Sequence, residues 1–224
     1  MQFSTLFFDL DDTLYPSSNG LWTALRNRMN DYMVELLDLP LDEIVALRQH
    51  YLEVYGTTLR GLQIHHQVDT DAYLEHVHNI PLGEYIHPDP ALGRLIASLP
   101  QRRIIFTNAD IHHAHRVLSI LQLTDCFEQI IDIRALDFVC KPDPAAYPRA
   151  LELAGMTNPA ECIIFDDAPR NLLPAREQGW YTVLVGDAAP NPAAIQSIAS
   201  LHDLPSAMPQ LWNHTASQGA ADKR

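Results

Sequence analysis

The sequence predicts an α/β protein, a doubly wound, Rossmann-like parallel sheet with an inserted α-helical domain. Three observations carry this. Residues 4–9, 103–107, 161–166 and 181–185 are short apolar runs rich in β-branched and aromatic residues, without polar alternation, as in strands covered on both faces. Helical patterns alternate with these runs in the C-terminal part, which implies parallel strands with crossover helices. The first and second runs lie about 90 residues apart, whereas a parallel crossover needs about a dozen.

Taken in order, the first strand is STLFFD. Behind it Leu21, Leu25, Met29, Tyr32, Met33 and Leu36 recur at helical spacing, with Asn19 or Ser18 as the cap. Ile44, Leu47, Tyr51 and Val54 repeat the pattern, and a shorter, more polar helix covers 69–78. Residues 16–87 therefore read as a helical insertion, and PLGEYIHPDP, with three prolines, as its return linker. The second strand, RIIFT, leads to a helix over 111–121 that places Ile111, Ala114, Val117, Leu118 and Leu121 on one face, with Asp110 as N-cap. A weaker strand covers 128–132. A Pro-led helix over 144–154 stops at Gly155, and another over 169–178 stops at Gly179. The expected division is a core of 1–15 and 88–205, a helical cap of 16–87, and a tail of 206–224 whose last ten residues fray.

With 224 residues, 47% of them hydrophobic and 19% charged, the chain can bury a core without staples. Three scattered cysteines, Cys126, Cys140 and Cys162, do not form a disulfide framework, and a reducing, cytoplasmic setting is expected. The opening MQFSTLFFDLDD has no basic segment of the kind that begins a signal peptide, and no apolar run approaches the roughly 18 residues of a membrane span. Fifteen Lys and Arg against 28 Asp and Glu give a formal charge of −13. A general nucleic-acid or anionic-membrane binder needs a basic face, so both classes are disfavoured. An anionic substrate would have to be held by a few local cations.

In an open α/β sheet, ligands bind beyond the carboxyl ends of the strands. The first strand ends FFDLDDTLYP, with Asp9, Asp11 and Asp12 within four positions. Like charges this close repel unless a cation lies among them. A second pair, Asp166–Asp167, ends another strand. If those strands are neighbours, the carboxylates converge into an all-oxygen ligand set that suits Mg²⁺; strand-terminal aspartates also cap turns, and for either cluster alone that reading stands beside it. Thr107–Asn108 offers a hydroxyl and N–H groups at a helix start, suited to phosphate oxygens, or else a strand-end cap. Lys141, in CKPDP, precedes a Pro-led helix, or else is a solvated charge. The combined order Asp-x-Asp, Thr, Lys, Asp-Asp, each at the end of a strand or in the loop beyond, is specific.

That combination resembles the haloacid dehalogenase (HAD) superfamily of phosphohydrolases. DLDDTL at 9–14, TN at 107–108, KP at 141–142 and DD at 166–167 match its four motifs, and the insertion after the first corresponds to its helical cap. DLDDTLYPSSNGLW, YGTTLRGL, FTNADIHHAHRVL and CKPDP resemble, more narrowly, the pyrimidine 5′-nucleotidase-like branch. The resemblance implies a Mg²⁺-dependent phosphomonoesterase acting on a small phosphorylated metabolite, a nucleoside 5′-monophosphate. Asp9 can attack phosphorus to form an aspartyl-phosphate, and Asp11 can protonate the leaving oxygen and then activate water. By resemblance, the Asp9 side chain, the Asp11 backbone carbonyl and the 166–167 pair hold Mg²⁺, Asp167 directly and Asp166 through water. Thr107, the Asn108 N–H and Lys141 then hold the other phosphoryl oxygens.

Asp12 is assigned no chemistry, and Thr13 is expected to fix the turn. Contacts to the leaving group fall to the insertion. Tyr15, Asn19 and Trp22 closely follow the nucleophile, and YGTTLRGL reads as a glycine-bracketed pocket loop that offers Arg60 to a base or sugar, or to a salt bridge within the cap. His65–His66 and His112–His113–His115 read as structural, because adjacent histidines on a helix point different ways. Cys140 has no base beside it. Competing readings are a sugar-phosphate phosphatase or phosphomutase with the same first-motif chemistry, a signalling receiver domain, and a catalytically dead binding protein. A receiver's acidic pair precedes its phosphorylated aspartate, the reverse of the order here. A dead scaffold would have lost one of Asp9, Asp11, Lys141 or Asp167.

Overall fold

The computed structural model describes residues 3–212. β1 (Thr5–Phe8) is followed by a 3₁₀ turn and four helices, α1 (Leu21–Leu37), α2 (Leu41–Tyr55), α3 (Thr58–His65) and α4 (Thr70–His78). Then come α5 (Pro90–Ala97), β2 (Arg102–Phe106), α6 (Ile111–Leu121), β3 (Gln129–Ile131), α7 (Ala146–Leu153), β4 (Cys162–Asp166), α8 (Pro169–Glu177), β5 (Tyr181–Val185), β6 (Gln196–Ile198) and α9 (Leu204–Ala207). The strands form one parallel sheet in the order β3-β2-β1-β4-β5-β6. β1 is thus central, paired with β2 and β4, and the two acidic strand ends are neighbours.

The strands read as unbroken apolar runs because each face is covered. Leu6, Phe8, Ile105, Ile163, Phe165 and Val183 face one side, where α5, α6 and the four-helix insertion pack. Phe7, Ile104, Phe106, Ile164 and Leu184 face the other, against α7, α8 and Trp180. Among the described residues no helix is long and apolar enough to cross a membrane.

Helix ends follow their chemistry. Asp110 Oδ1 accepts from the His113 N–H at 2.8 Å, and Pro169 opens α8. Asn19 lies one residue before the Gly20 N-cap of α1, but its Oδ1 still accepts from the Leu21 N–H at 2.9 Å.

Three expectations are corrected. The last strand, β6, lacks the long apolar run that marks a strand covered on both faces; it is an edge strand of three residues. Residues 206–212 belong to the core: Met208 and Leu211 are buried, and Gln101 Nε2 donates to the Leu211 carbonyl at 2.8 Å. The frayed end expected for the last ten residues lies outside the described residues.

The third correction is YGTTLRGL, which is mostly helix. Thr57 Oγ1 accepts from the Arg60 N–H at 3.1 Å and starts α3, and Gly61 sits inside it, pressed on the Tyr51 ring of α2. A Cβ at position 61 would fall 2.2 Å from Tyr51 Cγ and 2.6 Å from its Cβ. This glycine serves helix–helix contact. Overpacking of this kind costs about 1–3 kcal/mol. Gly61→Ala should lower stability by that amount in urea unfolding, and the double variant Gly61→Ala, Tyr51→Ala should be less destabilised than the sum of the two single variants.

Candidate active site

The site lies beyond the carboxyl ends of β1, β2 and β4. Its centre is Lys141, fully buried, whose Nζ donates to Asp9 Oδ1 at 2.9 Å and to Asp166 Oδ2 at 2.6 Å. The Phe106 ring lies 4.9 Å from the ammonium. Asn108 clamps the lysine's backbone: its Nδ2 donates to the Lys141 carbonyl, and its Oδ1 accepts from the Lys141 N–H. Burial opposes the charge on Lys141, but Asp166 and Asp9 hold the ammonium above the ordinary lysine value.

Asp166 is occupied by the protein itself. Besides Lys141, it accepts from Asn171 Nδ2 and from the Ala168 N–H, both at 2.9 Å. Thr13 Oγ1 accepts from the Asp167 N–H at 3.1 Å and donates to Asp9 Oδ2 at 3.4 Å, tying the two strand ends together. Thr107 Oγ1 accepts from the Ala109 N–H at 3.0 Å and shapes the turn after β2.

One oxygen each of Asp9, Asp166 and Asp167 lies within 4.8 Å of the others. Burial first, then repulsion from Asp166 and Asp167, raises Asp9 well above the ordinary carboxylate range despite Lys141. Burial and Asp166 push Asp167 up to about 7. An all-oxygen set whose members resist ionising together fits a hard divalent cation such as Mg²⁺.

Asp11 stands apart from that cluster. Its Oδ1 accepts from the Tyr15 hydroxyl and lies 2.9 Å from His113 Nε2. Burial works to raise this carboxyl, but His113 and Tyr15 overcome it and leave it below its ordinary value. His113 stacks on His78, ring centroids 4.3 Å apart, and burial lowers the pKa of His78. The sequence reading gave His113 a structural role only; its contact with Asp11 depends on α6 crossing above β1, which helical spacing does not reveal.

A cavity of about 230 Å³ opens above these groups. Asp9, Asp11, Thr107, Asn108 and Asp167 line its floor; Trp22, Arg48 and Tyr73 of α1, α2 and α4 are in its wall. Two substrate-contact expectations are corrected. Arg60 lies in α3, its Nη1 3.4 Å from Gln63 Oε1, and is not among the lining residues, because helix formation by 58–65 turns it away. Tyr15 and Asn19 line a second, outer groove of about 970 Å³, and the Tyr15 hydroxyl is spent on Asp11. Arg48 was missed, although with Ile44 and Tyr51 it shares the buried face of α2 at helical spacing. The α2–α3 turn touches the core at Gly56, which has φ +80° and whose missing Cβ would fall 2.8 Å from the Lys141 carbonyl.

Removing one member of a buried ion pair costs about 3–5 kcal/mol, because the partner charge stays buried. Lys141→Met should lose that much stability at pH 7 in urea unfolding. Asp9 already has a raised folded-state pKa, so its stabilising protonated form is present at low pH and lost as pH rises. The deficit of Lys141→Met should therefore shrink at pH 5.

The family model of haloacid dehalogenase-like hydrolases matches residues 3–179. The chain is 28% identical over 194 residues to phosphate metabolism protein 8 of Saccharomyces cerevisiae, covering 80% of this chain and 60% of that protein. It is 28% identical over 116 residues to a β-phosphoglucomutase of Bacillus subtilis, covering 51% of this chain and 50% of that one. The chain thus spans about half to three-fifths of the length of these curated relatives. Among solved structures, a hydrolase from Pseudomonas syringae superposes with a TM-score of 0.66 at 21% identity, over 92% of this chain and 98% of that one. The HAD hydrolase YfnB of Bacillus subtilis, solved with magnesium, gives a TM-score of 0.59 at 20% identity, over the same shares. With these matches and the shared sheet, the chain belongs to the haloacid dehalogenase-like hydrolase family.

Proposed function

We propose that the protein is a phosphomonoesterase in which Asp9 is the nucleophile, acting on a small phosphorylated metabolite, a nucleoside 5′-monophosphate, under a cap formed by the 16–87 insertion. The observation that carries this is the placement of Asp9: at the end of the central strand, hydrogen-bonded to a fully buried lysine, in a cavity walled by helices of the insertion.

A phosphomonoester dianion repels a carboxylate, so attack needs local positive charge and an in-line oxygen. Lys141 holds Asp9 through Oδ1 and leaves Oδ2, touched only by the Thr13 hydroxyl, to face phosphorus. Attack forms the Asp9–phosphoryl bond as the ester oxygen departs; Asp11, ionised in the free protein, takes up a proton as the phosphoryl dianion beside it raises its pKa, and gives that proton to the departing oxygen. Tyr15 and His113 hold Asp11 by Oδ1 alone, so its Oδ2 is the oxygen that can carry that proton; proton loss then lets the same carboxylate activate water for hydrolysis of the aspartyl-phosphate. Asn108 and Thr107 border the space for the remaining phosphoryl oxygens. Asp9, Asp167 and the Asp11 backbone carbonyl would hold Mg²⁺, with Asp166, already engaged by Lys141 and Asn171, reaching it through water. The chemistry such an ion would supply is positive charge to offset the repulsion between these carboxylates and an incoming phosphoryl group.

The similarity to a β-phosphoglucomutase keeps a second reading, phosphoryl transfer to or from a sugar phosphate, since it begins with the same step. Release of inorganic phosphate from nucleotides and sugar phosphates, measured alongside isomerisation of sugar phosphates, separates the two. In either case Asp9→Asn should fold, since Lys141 keeps Asp166, and should lose about 10³-fold or more in turnover of p-nitrophenyl phosphate, as expected for loss of a covalent nucleophile. A folded variant that keeps more than a tenth of the activity would eliminate the covalent route.

Asp167, with a folded-state pKa near 7, makes the protein's metal dependence visible without turnover. Its folded pKa lies above the unfolded value, so its contribution to stability is complete at acid pH and is lost as pH rises through 7. With EDTA, the melting temperature should fall between pH 6 and 8. With millimolar MgCl₂ the trend should flatten or reverse, because binding requires the deprotonated carboxylate. Identical pH profiles with and without MgCl₂ would count against these carboxylates as the metal site.

A further inference from the structure

The proposed chemistry uses Lys141 and leaves one buried cation unexplained. Arg48, on the inner face of α2, is only 7% exposed. Its Nε donates to Asn30 Oδ1 at 2.9 Å, and among the described residues its two terminal nitrogens make no hydrogen bond and meet no carboxylate within ion-pair distance. Burial lowers its pKa, and the charge that bears on it most, another cation, Arg26, lowers it further. A guanidinium has five donors and no acceptor, and the terminal nitrogens of Arg48, unbonded to the protein, keep their exposure at the cavity. In a protein of net charge −13, two arginines line this cavity; Arg170 donates to the Leu52 carbonyl, which leaves Arg48, among the described residues, as the buried one whose terminal nitrogens bond no protein group. The wall around it is apolar, from Leu25, Met29, Leu52 and Trp22, and beside it the Tyr73 hydroxyl is buried with no partner in hydrogen-bond geometry. The Arg48 guanidinium and the Tyr73 hydroxyl therefore border the same chamber as the carboxylates.

We propose that Arg48 is the specificity-determining residue of the insertion, binding oxygen acceptors on the substrate at the end remote from the phosphoryl group, with Tyr73 as a second donor. The inference rests on the reading of the site as a phosphoryl-transfer centre only in treating that end as a leaving group. The guanidinium can only donate, so Arg48 selects acceptors and disfavours amino groups, while the Tyr73 hydroxyl can add a donated bond. Two kinds of monoester present such oxygens: an oxo-pyrimidine nucleotide through its ring carbonyls, and a phosphorylated hydroxy acid through its carboxylate. Both are small, in keeping with a cavity of about 230 Å³, below the roughly 300–1,000 Å³ of drug-sized sites.

The test is binding. In the Asp9→Asn protein with MgCl₂, calorimetry measures uridine 5′-monophosphate, 2-phosphoglycolate and methyl phosphate, the last with no remote acceptor. Arg48→Met in that background should weaken whichever of the first two binds more tightly by at least tenfold, and methyl phosphate by less than threefold. Loss confined to uridine 5′-monophosphate assigns ring carbonyls; loss confined to 2-phosphoglycolate assigns the carboxylate. Arg48→Lys should restore part of the affinity for the carboxylate ligand, which no purely structural role would produce. Equal weakening of all three probes makes Arg48 a support of the insertion and overturns the proposal, as does no weakening of any. Phosphate release from the same compounds by the unmodified protein judges the phosphatase reading separately: Arg48-dependent binding without release overturns hydrolysis and leaves Arg48 as the reader.

Discussion

The ammonium of Lys141, wedged between Asp9 and Asp166 with no access to water, is the interaction on which the rest of the molecule turns. None of the three charges could be buried alone, since an unpaired ion in a protein interior costs several kcal/mol. Together they are tolerable only if the lysine's loop and both strand ends are held in register. Pairing of β1 with β4 brings the carboxylates together. Asn108, at the end of β2, clamps the lysine's backbone from one side, and Asn171, in the first turn of α8, secures Asp166 from the other. Four segments far apart in the chain thus meet on one cation.

The cluster is still not neutral. With Asp167 counted, the ionised group carries two net negative charges, and the raised carboxyls of Asp9 and Asp167 record the strain. That imbalance matches a divalent ion. It also shows how an acidic chain can suit an anionic substrate: buried positive charge is set at two points beside the site, Lys141 in the loop before α7 and Arg48 in the insertion.

Much of this could be read from the residues. Strand-terminal aspartates, a threonine and a lysine in the order of the sheet's chemistry are local features, each tied to the end of an apolar run, so the core of the site was legible. The caps at Asp110 and Pro169 were legible for the same reason. What failed were judgements that depend on how one helix lies on another. YGTTLRGL has two glycines and two threonines and reads as a loop, but Thr57 caps a helix and Gly61 is there for the Tyr51 ring. Once that segment is helical, Arg60 turns aside and Arg48, seemingly an ordinary arginine in an amphipathic helix, faces the cavity. His113 was hidden similarly: nothing in FTNADIHHAHRVL says which histidine will meet Asp11. β6 and residues 206–212 escaped because short edge strands and chain-end packing have little periodicity.

The seam at Gly56 has a consequence for anyone who would exchange helical insertions between scaffolds of this kind. A methyl group there would collide with the backbone carbonyl of Lys141, so the turn that ends Arg48's helix and the loop that carries the buried lysine share one wall with no slack. A transplanted insertion must bring a glycine to that point, with its left-handed backbone, or displace the loop on which Asp9 and Asp166 depend. The two parts of the molecule are therefore not freely interchangeable modules, and a graft that ignores this join would damage the charge cluster before it altered selectivity.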